Sequence, residues 1–414
     1  MTQRFFMCYF ETTRDCNQNC PYCMTRSQDY EADSQLGTEE AKTLVLDEVK
    51  KICSEGSVAF SGGEFLLRGD ALELLQYNAS IGLYSFVNTN GTLLTPELLR
   101  EIKQATGGRV TFGFSLDSID PQTQDDCRDG DNNSLRNVMR MCDEVDIGYF
   151  VLVTISKTNL HTLRETVKFL ESRRIPMIRS PFIPRGAAGQ SRDLQFGRDD
   201  MEKTIHPILR ENPLCYVSHT PFFAAPDAMR LGLGRLSVSL GNLGCQAGRT
   251  FVGVSAEGNV APCVHLLDTT VNCGNVRRQK LSEMLETDPI LLSLRGESQV
   301  KGKCGRCRYN QSCRGCRALA YYSTGDYLAE DPTCFFEPVD NSDKCEFEEI
   351  QTRNTREFME FVATNKPWSG IFEPSGIGAK VGMSLLKSAM KVRSTLKKVR
   401  PANRSNEKDE NITY

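Results

Sequence analysis

Three cysteines near the start of the chain, Cys16, Cys20 and Cys23, stand at the spacing Cys-x3-Cys-x2-Cys. A loop this tight presents three thiolates to one point. That is enough to hold three irons of a [4Fe-4S] cube while the fourth iron stays open to a cofactor or substrate. The competing occupant is a structural zinc ion, which would need a fourth Cys or His close by. The nearest histidine in sequence is His161, far along the chain, so an iron-sulfur cluster is the expected occupant.

A second, larger concentration lies in the C-terminal half: Cys245 and Cys263 on either side of Gly258, then Cys304-x2-Cys307-x5-Cys313-x2-Cys316, then Cys334. The chain has 17 cysteines in 414 residues, and its N-terminus lacks the basic and apolar regions of a secretion signal. Metal is therefore favoured over a disulfide framework, and a cytoplasmic location is expected. No apolar run approaches the roughly 20 residues that span a bilayer. Cys8, Cys53, Cys127, Cys142, Cys215 and Cys345 read as core thiols.

The elements that position these residues are legible up to about residue 185. Short β-rich runs at Arg4–Phe10, Ser57–Phe60, Tyr84–Asn88, Arg109–Leu116, Tyr149–Ile155 and Pro176–Ile183 alternate with helical patterns at Glu39–Cys53, Ala71–Tyr77, Pro96–Gln104, Ser134–Val145 and Leu160–Ser172. A repeat of roughly 25 to 35 residues marks βα units. The expected fold class is α/β, a partial (β/α)6 TIM-like barrel followed by a C-terminal cysteine-rich cluster-binding domain. Parallel folds of this kind do their chemistry in the loops after the strands. The cysteine loop follows the first strand, Ser61-Gly62-Gly63-Glu64 the second and Asn88-Thr89-Asn90-Gly91 the third, while Ser115-Leu116-Asp117 ends the fourth. Four loops converge on one site.

The barrel is expected over 1–190, a bridge over 191–235, the cluster domain over 236–346 and an extension over 347–414. In that extension Pro374 to Asn406 carries eight Lys or Arg and no acid, with Leu385, Ala389, Val392, Leu396 and Val399 at helical spacing. A solvated, frayed tail and a basic amphipathic helix both match this pattern. The net charge of -3 and pI near 6.0 supply no global attraction to nucleic acid or anionic lipid. Nucleic acid is not an expected partner.

The first cysteine spacing, with aromatic Tyr22 just before the third cysteine, resembles the signature of the radical SAM superfamily. The resemblance implies that the open iron binds the amino and carboxylate groups of S-adenosylmethionine (SAM). An electron from the cluster then cleaves SAM to methionine and a 5'-deoxyadenosyl radical, which implies a reducing partner such as flavodoxin or ferredoxin. Gly62-Gly63-Glu64 is similar to the family's GGE segment, whose bare backbone approaches the methionine ammonium and whose carboxylate helps to neutralise it. By the same resemblance Ser115 and Asp117 stand where polar ligands for the ribose or methionine end are expected. Asn88 and Asn90 line the neighbouring loop, Tyr22 lies against the adenine, and Arg140 clamps the SAM carboxylate.

The later cysteines resemble a SPASM domain, which implies two auxiliary [4Fe-4S] clusters. Cys304, Cys307, Cys313 and Cys334 would hold one; Cys245, Cys263 and Cys316 would hold the other, with a non-cysteine residue or an open iron in the fourth place. Such clusters exchange single electrons with a bound radical. Cys273 is a candidate hydrogen-atom donor of the kind that epimerases of the superfamily use, and His265 and Asp268 are candidate bases.

SPASM relatives most often modify ribosomally made peptides, so a peptide substrate is the first expectation. Cys16 leaves little chain before it, so a separate leader-peptide-binding protein would have to recognise the leader. The run from Gly315-Cys316-Arg317-Ala318 through Gly325-Asp326 to Asp331-Pro332-Thr333-Cys334 also resembles enzymes that trim tetrapyrrole side chains. Small-molecule oxidation, decarboxylation or epimerisation is therefore the second expectation. A plain electron carrier would need the cysteines but not the polar loops around one open iron.

Overall fold

Aromatic and β-branched residues fit a pleated, half-buried surface, and each run rich in them forms a strand. The strands are β1 (Met7–Thr13), β2 (Ser57–Gly62), β3 (Tyr84–Thr89), β4 (Val110–Ser115), β5 (Gly148–Ile155) and β6 (Met177–Pro181). The computed structural model describes residues 6–25, 34–129, 132–211, 244–295, 299–307, 309–310 and 313–337. Neighbouring strands are parallel throughout, from Met7 opposite Ser57 to Val151 opposite Met177, in the order β6-β5-β4-β3-β2-β1. A parallel pair needs a crossover, and a helix supplies each one.

Side chains alternate across a strand, so β1 serves two surfaces. Cys8 and Phe10 are fully buried in the core that also takes in Val45, Leu46 and Val49. Tyr9 and Glu11 face the barrel interior, where the Tyr9 hydroxyl lies 2.6 Å from Ser61 Oγ and the Glu11 carboxylate meets Arg185.

The helices follow local signals. Ahead of Pro96–Ala105 the Thr95 side chain accepts from Leu98 N–H at 3.2 Å, and proline holds a position whose own N–H would lack a helical partner. Leu99 and Ile102 are the buried face of that helix. The pattern at Glu39–Cys53 becomes a helical run with a widened middle, Thr38–Glu40, Ala41–Leu46 and Asp47–Ile52.

The cysteine-rich half continues the barrel's own sheet. Strand β7 (Phe251–Val254) pairs parallel with β1, Met7 opposite Phe251; β8 (Asn259–Ala261) and β9 (Gly274–Asn275) follow antiparallel. Among the described residues nine strands form one sheet in which β1 is interior, which sets the start of the cysteine loop beside Glu257 and Asp268. Residues 212–235 of the bridge, Cys215, Cys345 and the extension 347–414 with its basic stretch lie outside the described residues. Among the described residues no helix is long and apolar enough to cross a membrane.

Candidate active site

The loop carrying Cys16, Cys20 and Cys23 leaves the end of β1 and is gripped by the next two strand ends. Gly63 N–H donates to Thr13 O and Glu64 N–H to Asp15 O, each at 2.7 Å. A Cβ on Gly62 would sit 2.1 Å from Thr13 O, and one on Gly63 2.1 Å from Asp15 O. Gly62 also takes φ +128°, which side-chain-bearing residues avoid. The two glycines thus let the backbones of β2 and the cysteine loop touch. From the β3 side, Asn90 Nδ2 donates to Asn17 Oδ1 at 2.8 Å and Asn17 Nδ2 to Thr92 Oγ1 at 2.7 Å. Asp129 accepts from Asn19 N–H at 2.8 Å.

Cys16 is exposed, Cys20 and Cys23 half-buried. Burial pushes the Cys16 and Cys20 thiols up, and the charges of neighbouring cysteines, with Glu64 at Cys16, push the same way. Cys16, Cys20 and Cys23 at the end of a barrel strand are the residues that would hold an iron-sulfur cluster, whose irons would neutralise their thiolates.

The residues expected around SAM divide. Glu64 is fully buried, and burial pushes its carboxyl up. It accepts from Leu66 N–H at 3.0 Å, from Thr89 Oγ1 at 2.9 Å to each oxygen and from Asn90 N–H at 2.8 Å. Glu64 thus braces the two loops that follow β2 and β3. Asp117, 0% exposed, is committed in the same way: Oδ1 accepts from Thr154 N–H at 2.6 Å, and Oδ2 lies 2.6 Å from Arg128 Nε.

Tyr22 is buried edge-on to Phe182, ring centroids 5.6 Å apart, and its hydroxyl points at Asp117 from 3.5 Å. It packs against Phe182 at the end of the barrel. Arg140 is corrected outright. Its side chain is 71% exposed on the solvent side of the helix Asn132–Val145, 4.0 Å from Glu144, because helical periodicity turns it away from the barrel. Asn88 and Ser115 do stand at strand ends. Asn88 Oδ1 closes over Gly113, where a Cβ would lie 2.5 Å from it, and Ser115 is half-buried.

Five charged side chains join the cysteine loop to the cluster half. Arg14 pairs with Glu257 at 2.7 Å and Asp268 at 2.9 Å; Arg185 pairs with Asp268 and with Glu11, each at 2.7 Å. Arg185 also donates to Val264 O at 3.0 Å, next to Cys263. Although burial opposes it, bonding to Arg14 and Arg185 holds the Asp268 carboxyl below the usual range, which makes it a poor base. Asp268 is a positioning residue, held at φ +57°. His265 is buried with Nε2 3.0 Å from Ser180 Oγ at the end of β6. Cys273 belongs to the core that includes Val276 and Met284, where burial and then Asp288 push its thiol up. It reads as a packing thiol. Sequence reasoning passed over Glu11, Arg128 and Arg185, whose partners lie 174, 11 and 83 residues away or nearer only in space. Arg14, two residues before Cys16, carried the one available signal of position.

The later cysteines gather in two groups. Burial raises Cys316, with Asp331, Cys245 and Cys263 adding repulsion, and Cys263 is pushed up to about 12 by burial and Cys245. Burial also raises Cys304, beside Cys307, and pushes Cys334 up to about 12, beside Asp331 and Cys304. The Cys313 carbonyl accepts from Cys245 N–H at 2.9 Å. Backbone donors already face two sulfurs: Asp331 N–H lies 3.4 Å from Cys304 Sγ and Tyr309 N–H 3.5 Å from Cys307 Sγ. These are the cysteines that would hold auxiliary clusters.

Comparison with known proteins agrees with this geometry. The family model described as the radical SAM superfamily matches residues 10–170, and that of SPASM, an iron-sulfur cluster-binding domain, matches residues 245–317. The AdoMet-dependent heme synthase of Methanosarcina barkeri (strain Fusaro) is 31% identical over 343 residues, 80% of this chain and 96% of the relative. The PqqA peptide cyclase of Rhodopseudomonas palustris is 25% identical over 80% of this chain and 86% of its own. Among solved structures, anSMEcpe with bound AdoMet superposes with a TM-score of 0.60 at 14% identity, over 92% of this chain and 98% of that one. The chain therefore belongs to the radical SAM superfamily and carries an auxiliary cluster-binding SPASM domain after its partial barrel.

Proposed function

We propose that this radical SAM enzyme acts on a tetrapyrrole and oxidatively decarboxylates a carboxylate side chain. The observation that carries the reading is the likeness to a protein named AdoMet-dependent heme synthase across 96% of its length, above 30% identity. The tetrapyrrole reading so moves ahead of the peptide reading. When bound, SAM and the clusters supply a radical that takes one hydrogen atom from a side-chain carbon, and an acceptor for the one electron left as the C–CO2 bond breaks and carbon dioxide departs.

The chain's own residues bind and orient. Cys16, Cys20 and Cys23 hold the first cluster, and Glu64, Asn90 and Asn17 hold their loop in place. Arg14, Arg185 and Asp268 set that loop against the segment following Cys263. His265 Nε2, hydrogen-bonded to Ser180 Oγ, holds the end of β6 against the segment following Cys263.

The test is anaerobic incubation of reconstituted protein with SAM, reductant and an iron porphyrin deuterated on its propionate side chains. Deuterium in 5'-deoxyadenosine and a porphyrin lighter by one carbon dioxide and two hydrogens per side chain would support the proposal. SAM cleavage that leaves the porphyrin intact would remove it. Peptide maturation, aided by a separate leader-binding protein, is kept as a second reading because a PqqA peptide cyclase is also a relative.

A further inference from the structure

Arg317 is among the largest side chains buried in the protein, at 1% exposure, and the tetrapyrrole reading gives it no task. Three of its bonds go to backbone: Nε donates to Gly315 O at 3.3 Å, and Nη1 to Tyr327 O at 2.9 Å and Ala329 O at 2.6 Å. Nη2 is buried and has no hydrogen-bond partner among the described residues. An unmet cationic donor in a dry interior is costly unless something accepts from it.

The geometry around Gly315 shows what that donor lies beside. A Cβ built on Gly315, which takes φ +63°, would lie 2.7 Å from Arg317 Nη2 and 3.1 Å from Cys304 Sγ. The glycine therefore leaves a small gap bounded by the guanidinium, by Asp331, whose Cβ lies 2.7 Å from that same point, and by the Cys304 sulfur. On that same sulfur, Asp331 N–H is already 3.4 Å away. Asp331 Oδ2 in turn accepts from Cys316 N–H at 2.6 Å, which joins the two cysteine groups through one buried carboxylate.

We propose that Arg317 Nη2 donates to the sulfur face of the cluster held at Cys304, and that its buried positive charge keeps that cluster's reduction potential high enough to take the electron released by the substrate. Reduction adds negative charge to the cluster. A fixed cation with a free N–H directed at the sulfurs stabilises the reduced form over the oxidised one. Arg317 is a positioning and tuning residue, since it touches the cluster site and not the substrate. The proposal rests on Cys304 being a cluster ligand, which a separate variant reads.

The experiment is an EPR-monitored redox titration of full-length reconstituted protein in a Cys16→Ala, Cys20→Ala, Cys23→Ala background, which leaves the auxiliary signals alone. Loss of one signal in Cys304→Ala identifies the cluster, and persistence of every signal overturns the ligand assignment and the proposal with it. For that signal, Arg317→Gln should shift the one-electron equilibrium at least tenfold toward oxidised, about 59 mV lower in potential. Arg317→Lys should fall between Arg317→Gln and the parent. Equal potentials in all three at matched iron content would overturn the proposal.

Arg317 also ties down three carbonyls, and loss of iron from both variants for structural reasons alone is a separate outcome. In that event, the parent protein with 15N-guanidinium arginine and Cys263→Ala added decides. A 15N hyperfine coupling to the reduced cluster that persists when Arg314→Lys is added supports the donor, and its absence overturns it.

Discussion

At the scale of single residues, the polar groups that ring the cysteine loop spend their bonds on the protein. Asp117 and Arg128 make the clearest case, a fully buried carboxylate against a guanidinium 2.6 Å away. Arg128→Met would leave that carboxylate without a counter-charge, and the expected loss is about 3–5 kcal/mol in denaturant unfolding. The double variant Asp117→Asn with Arg128→Met should recover part of this, and full additivity of the two losses would show that the pair is not coupled. Arg140→Ala is expected to leave both SAM cleavage and stability within about 0.5 kcal/mol of the parent, because its side chain stands in solvent. A large fall in SAM affinity would restore Arg140 to the site.

At the scale of elements, the end of β2 against the cysteine loop is the tightest joint. Gly62→Ala meets Thr13 O at 2.1 Å, so the loop has to move and iron retention on reconstitution should drop well below the parent's. Gly69→Ala is the matched control, since nothing lies within 4 Å of a Cβ there. Equal iron contents for the two variants would mean that the joint is soft. The strand and helix positions were legible because hydrophobic period and turn residues are local properties. What the GGE segment does was half legible: the glycines announced a close approach, but whether cofactor or backbone would approach needed the neighbouring strand in place.

Across the whole molecule, the chain Glu257–Arg14–Asp268–Arg185–Glu11 ties the first cysteine loop to the later cysteines. Burial opposes ionisation of Asp268 and Glu257, but their arginine partners win and hold both carboxyls low. A carboxylate whose folded value is depressed stabilises the protein above its unfolded value and loses that contribution as pH falls through the folded one. Stability should therefore hold from neutral pH to about 5 and decline below about 4. Asp268→Asn should be less stable at neutral pH and flatter through that decline, as read by denaturant unfolding at each pH. An acid limb identical to the parent's would show that the bridge carries no linkage.

By itself the sequence determined the chemistry and the order of the elements: Cys16, Cys20 and Cys23 on one tight loop, six βα units and a later block of cysteines. These depend on spacing and period, which are read within a few residues. Only the tertiary structure decided who partners whom. It paired β7 with β1, committed Asp117 to Arg128, turned Arg140 to solvent, gave Asp268 to two arginines and placed Arg317 beside Cys304. A buried charge takes its partner from whatever strand or loop the fold brings beside it, and nothing in the local spacing of residues carries that information.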